Sequence, residues 1–142
     1  MNEQELKEVF QRKKAKKDQE GNFLTGFTPN VTFEQVQDHL RQIPEVCAHC
    51  GLTPQESELL FELQRTKVRN DATRGGRRGR RLELDRIQPE LPYDQIDNLV
   101  WSCYWCNNAK TNFFSQTEFE PIGNAIGNAL RQILQQNEQR TQ

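Results

Sequence analysis

The chain has 142 residues, of which 34% are hydrophobic, and a formal net charge of −1. That length allows one domain with a modest core and a short appendage. The apolar fraction lies below the ~45–50% of ordinary globular chains, so a cross-link or metal has to supplement the core. The charge excludes a general polycation, and no apolar run approaches the ~18 residues of a membrane span.

The first twenty residues are charged and hold no apolar segment, which excludes a secretory signal and implies a reducing, cytoplasmic setting. Residues 2–18 read as a polar helix whose apolar face is little more than Leu6, Val9 and Phe10. Residues 19–31, with Gly21, Gly26 and Pro29, read as a linker. Thr32 and Gln35 form a capping box that starts a second helix, which stops before Pro44. Residues 1–44 are thus expected to be a helical arm and linker, and residues 45–142 the folded domain.

Cys47 and Cys50 form a first CxxC pair, with Gly51 placed for the tight turn of a zinc knuckle. Thr53, Pro54 and Glu56 then mark a strong helix start, for a helix over 54–66 with Leu59, Leu60 and Leu63 facing inward. Residues 70–80 read as a glycine-containing basic loop. Leu82–Ile87 alternates apolar and polar residues and predicts a strand. Residues 98–102 predict its return strand, with a turn at 88–97. A short helix is expected from Cys106 to about Phe113. Ser115 and Glu118 form another capping box, and a last helix is expected from about Pro121 to Gln136, with Ile122, Ile126, Leu130, Ile133 and Leu134 at helical spacing.

The chain has only four cysteines, and Cys103 and Cys106 complete a second CxxC pair. In a reducing compartment, two such pairs point to one tetrahedral structural zinc. The 52 residues between the pairs exceed the ~15–20 of a simple zinc ribbon, so a folded insert must separate them. Charge is also segregated. Residues 65–81 carry eight cations against the single acid Asp71, and Arg12, Lys13, Lys14, Lys16 and Lys17 form a second cluster. Local patches of this kind hold phosphates even on a neutral protein.

The order of these motifs resembles the zinc-bearing HNH, or ββα-metal, endonucleases. The resemblance covers about residues 45–120. It rests on the first CxxC, the strand ending in Asp85-Arg86, Asn98-Leu99, the second CxxC, and Asn107 and Lys110 beyond it. It implies an α+β fold: a small zinc-stapled ββα-metal core with flanking helices. It also implies that Asp85 and Asn107 bind a catalytic Mg²⁺ or Mn²⁺, that Asn98 ties the hairpin turn together, and that Lys110 lies near a phosphate. Arg74, Arg77, Arg78, Arg80 and Arg81 would hold the nucleic-acid backbone.

Arg86 departs from the pattern, which has histidine there as general base. Arginine stays protonated and cannot take a proton from water. Arg86 would instead clamp phosphate, and Tyr93 and Tyr104 are the nearest tyrosines that could replace the base. The other histidines are His39, read as a surface residue, and His49, read as lying on the zinc side away from the chemistry. Two functions follow. One is an HNH-like metal-dependent endonuclease that hydrolyses DNA phosphodiester bonds, slow or partner-dependent because of Arg86. The other is a catalytically inactive zinc module that binds nucleic acid or a protein partner, as in a phage or antiphage defence system, with the N-terminal helix as docking arm. RNA stays open as the substrate.

Overall fold

The computed structural model describes residues 1–66 and 78–141, with side chains to residue 138. In chain order these form α1 (Glu3–Arg12), α2 (Phe33–Leu40), α3 (Pro54–Arg65), β1 (Glu83–Arg86), a 3-10 turn (Ile96–Asn98), β2 (Leu99–Ser102), α4 (Tyr104–Lys110) and α5 (Gln116–Thr141). The fold is α+β, a two-stranded antiparallel hairpin with helices around it. No helix among the described residues is long and apolar enough to cross a membrane.

Local sequence chemistry sets most helix starts. Thr32 with Gln35 and Thr53 with Glu56 form the expected capping boxes, and Asn2 with Glu5 adds a third. The expected Ser115–Glu118 box also forms, and it starts the last helix at Gln116 rather than near Pro121. Pro121 therefore lies within α5, where it forgoes one hydrogen bond on an exposed face. Likewise α4 begins at Tyr104, because Cys103 caps it: its sulphur accepts the Cys106 N–H at 3.4 Å.

The hairpin pairs Glu83 with Ser102, Leu84 with Trp101, Asp85 with Val100 and Arg86 with Leu99. Paired residues share a face, so Glu83 and Asp85 project to one side and Leu84 and Arg86 to the other. Helix α4 lies over the Glu83/Asp85 side. Its Asn107 donates to Glu83 at 2.8 Å and its Lys110 reaches Asp85 at 3.1 Å.

The N-terminal segment joins the same core. Leu6, Phe10, Phe27, Val31, Val36 and Leu40 belong to one hydrophobic cluster with Leu84, Leu99, Trp101 and the buried cysteines. Helix α1 ends at Arg12, short of the expected Asp18. Residues beyond it fold back through paired backbone bonds between Ala15 and Phe27 and between Phe27 and Lys13. Phe27 stacks between Phe10 and Tyr93, and Thr28 donates to Asp94, so this segment braces the tip of the hairpin. His39 is not a loose surface residue, since its Nε2 donates to the Leu99 carbonyl at 2.9 Å and pins α2 to β2.

Helix α5 buries Phe119, Gly123, Gly127 and Leu130, a stripe rotated from the expected one; Ile122 is 38% exposed. In α3, Leu60 and Leu63 are buried but Leu59 points outward. The glycines let α5 lie directly on the Cys47–Cys50 turn. A Cβ on Gly123 would stand 2.6 Å from the His49 carbonyl oxygen, and one on Gly127 would stand 2.9 Å from the Cys50 Cβ. Backbone cannot retreat as a flexible side chain does. Gly123→Ala is therefore expected to destabilise the fold by about 1–3 kcal/mol, the usual range for overpacking, measured by denaturant unfolding.

Candidate functional site

The four cysteine sulphurs all lie within 4.8 Å of one another, and three of the four residues are buried. A tetrahedral zinc with bonds of about 2.3 Å requires sulphur–sulphur edges of about 3.8 Å. The Cys50–Cys103 separation is 3.8 Å. All four are free thiols rather than disulfides. Hydrogen bonding from Cys103 pulls the Cys47 thiol below its ordinary range, and hydrogen bonding with Cys103 pushes Cys106 above it. A dication lets all four ionise, so the donor set, spacing and burial fit zinc.

The knuckle is built locally. Gly51 turns at φ 75°, a left-handed conformation that favours glycine, and its N–H closes onto the Cys47 carbonyl at 2.8 Å. The Cys47 N–H donates to the Leu52 carbonyl, and the Ala48 N–H donates to the Trp101 carbonyl. The first pair is thereby held against β2, which leads directly into the second pair.

The hairpin turn is fixed by Asn98. Its amide accepts from the Gln88 N–H and donates to the Gln88 carbonyl, both at 3.0 Å. This is the bracing expected of the middle asparagine. The bond also explains why Asn98 is buried.

Asp85 is 6% exposed, and its Oδ2 accepts from both His49 Nε2, at 2.7 Å, and Lys110 Nζ. Both partners are fully enclosed. His49, read from sequence as remote, is therefore in direct contact with Asp85. The Lys110 ammonium also donates to the Arg86 carbonyl at 2.6 Å. In this arrangement it is a buried counter-charge, not a surface contact for phosphate.

Arg86 is also committed. Its guanidinium donates to the Leu91 carbonyl at 2.9 Å and the Asn112 side chain at 3.1 Å, and it stacks on Tyr93 at 4.7 Å. The Tyr93 hydroxyl lies 3.4 Å from Lys13 Nζ. Tyr93 is thus the tyrosine beside the position where the resemblance calls for a base. Tyr104 lies instead under Arg78.

Of the basic loop, Arg74 and Arg77 lie outside the described residues. Arg78 makes a two-pronged pair with Glu83. Arg81 reaches Glu8 at 2.9 Å and Glu5 at 4.0 Å, and its hydrogen bond holds the Glu8 carboxyl below the usual range. Arg80 is exposed beside Glu58 in a shallow cleft. These ion pairs engage part of the expected phosphate-binding charge with the protein's own acids. Phe113 is 78% exposed, whereas Trp101 is fully buried.

Oxygen donors suited to a hard divalent ion project to the helix-covered face: Asp85 and, unforeseen from sequence, Glu83, which Asn107 of α4 reaches at 2.8 Å. Two cations of the protein already balance them, Lys110 on Asp85 and Arg78 on Glu83. The donor chemistry therefore fits Mg²⁺ or Mn²⁺, provided that the exposed Arg78 yields its place.

No protein-family model and no curated protein matches the chain. Among solved structures, it is similar to the rare-cutting HNH restriction endonuclease PacI, at a TM-score of 0.52 and 23% identity, over 89% of this chain and 74% of that one. At that identity the likeness speaks for the fold. The hairpin, the covering helix and the four-cysteine cluster make it the ββα-metal fold of the HNH endonucleases.

Proposed function

We infer that the protein is a metal-dependent HNH-like endonuclease that hydrolyses phosphodiester bonds in DNA. The observation that carries this reading is a hairpin braced by Asn98 and flanked by the four-cysteine cluster, whose Glu83 and Asp85 face α4 and are reached by its Asn107 and Lys110. The fold likeness to a DNA-cleaving enzyme supports it. Residues 45–142 would form the nuclease unit. Residues 1–44 would steady the hairpin tip by packing against it.

Asp85, Asn107 and Glu83 would hold the divalent ion, which when bound would neutralise charge on the scissile phosphate and leaving oxygen. Lys110 pairs with Asp85 and holds it in place. Tyr93 stacks on Arg86, on the face of the hairpin opposite Asp85 and Glu83, so it does not fill the role of the missing base. A general base contributes typically about 10²–10⁴-fold. Without one, cleavage is expected to be slower by that margin, measured as single-turnover nicking. Arg80, with the charge of the 65–81 segment, would attract the backbone.

The test is conversion of supercoiled plasmid to open circle with Mg²⁺ or Mn²⁺. Asp85→Asn and Asn107→Ala should both abolish it while keeping zinc. The second variant matters because Asp85→Asn leaves Lys110 without its counter-charge, whereas Asn107→Ala uncovers no buried ion. Equal nicking by wild type and both variants would sink the reading. A second reading, a non-catalytic zinc module, draws on Arg86 and on the pairing of Arg78 and Arg81 with the protein's own acids. Retarded but intact plasmid with all three proteins would favour it.

A further inference from the structure

We propose that His49, carried between the two cysteines of the first knuckle, is a positioning residue that orients Asp85, so that the zinc staple reaches the proposed catalytic carboxylate through a single side chain. This rests on the metal-dependent reading above and adds a residue to it.

The geometry is specific. His49 Nε2 lies 2.7 Å from Asp85 Oδ2, across 36 positions of sequence. A carboxylate only accepts, so Nε2 carries the proton. The other ring nitrogen, Nδ1, is buried without a partner. A buried N–H there would forgo a hydrogen bond, whereas a bare acceptor is tolerated more readily. One tautomer therefore satisfies the site, and it is the one that donates to Asp85.

His49 is itself fixed from several sides. Its imidazole meets the Phe119 ring edge-on, with centroids 5.3 Å apart. Its carbonyl and Cβ lie against Gly123, and the neighbouring Ala48 is bonded to β2. The side chain is fully enclosed, so it cannot swing away from Asp85. Asp85 is consequently held by two donors from different elements, His49 from the knuckle and Lys110 from α4. Lys110 supplies charge, which acts over distance. His49 supplies a directional bond, which fixes the carboxylate's rotation and leaves its second oxygen for the divalent ion. Partners of metal ligands commonly act in this way, and their loss typically weakens metal binding by about 10–100-fold.

The experiment uses the full, zinc-loaded chain with His49→Gln and His49→Leu. Glutamine places an amide N–H near the position of Nε2, whereas leucine fills the space and donates nothing. Mn²⁺ binding is measured by calorimetry, with Asp85→Asn as the blank, alongside zinc content and melting temperature. The expected result is near wild-type Mn²⁺ affinity for Gln, an affinity about 10–100-fold weaker for Leu, and one zinc in each. Equal affinities in the two variants would overturn the proposal. If wild type binds no Mn²⁺ beyond the blank, the metal-dependent reading fails separately. The ¹³C shift of the Asp85 carboxyl then decides the positioning role. It should stay with wild type in Gln and move in Leu, and a shift unchanged in Leu would refute the proposal.

Discussion

Removing the metal is expected to unfold the protein. Structural zinc contributes about 10–16 kcal/mol to folding in small zinc domains, and whole domains are stable by only about 5–15 kcal/mol. Here the first sulphur pair belongs to a turn held against β2, and the second follows directly from β2 into α4. One ion bound by both pairs would close a loop of more than fifty residues and set the helix over the hairpin. The apolar core cannot substitute, because a third of the chain is hydrophobic and several large apolar side chains, Phe113 and Leu59 among them, face solvent. A strong chelator, or Cys103→Ser, should therefore abolish the cooperative thermal transition. Circular dichroism checks this, with zinc add-back as the control. Melting unchanged by chelation would remove the metal from the account of the fold.

Lys110→Met is expected to cost about 3–5 kcal/mol, the usual penalty for breaking a buried ion pair by removing one partner. Methionine keeps most of the aliphatic stem, so the loss comes from charge and hydrogen bonding rather than from a cavity. Asp85 would retain His49 alone, and the Arg86 carbonyl would lose a buried donor. Asp85→Asn should be costly for the mirror-image reason, an ammonium left without its counter-ion. In the double variant neither charge remains, so its destabilisation should be less than the sum of the two single ones. Urea unfolding of the four proteins measures that coupling. Additive losses would mean that the two groups do not interact across the helix–hairpin contact.

The parts of this architecture that were legible in the sequence are those encoded over a few residues. CxxC spacing, Thr-x-x-Gln and Thr-x-x-Glu boxes, and the alternation at 82–87 each carry their own chemistry, and the structure forms a knuckle, helix starts and a strand there. The fold class followed because motif order constrains how such pieces connect. The site was less legible, since its polar contacts are long-range. His49 meets Asp85 across 36 positions, and Lys110 and Arg86 meet across 24. Nothing local to His49 distinguishes a zinc-side residue from one aimed at the hairpin. Its one sequence signal was its place inside a CxxC, next to ligands that the fold must bring to β2.

Burial altered other expectations for the same reason. Lys110 has the sequence environment of a solvated helix lysine and is enclosed because Asp85 lies beneath it. The inner stripe of α5 was misread because two glycines, which carry no hydrophobic signal, make its closest approach to the knuckle. Propensity placed the last helix after Pro121, but the Ser115 box starts it a turn and a half earlier and accepts the proline within.

The central claim is that a single zinc ion, bound by Cys47, Cys50, Cys103 and Cys106, builds the helix-over-hairpin unit on which the proposed site depends. Zinc-edge X-ray absorption on the purified protein tests it most directly. The account predicts one zinc per chain with four sulphur neighbours at about 2.3 Å. Nitrogen or oxygen in the first coordination sphere, or a folded protein without zinc, would contradict it.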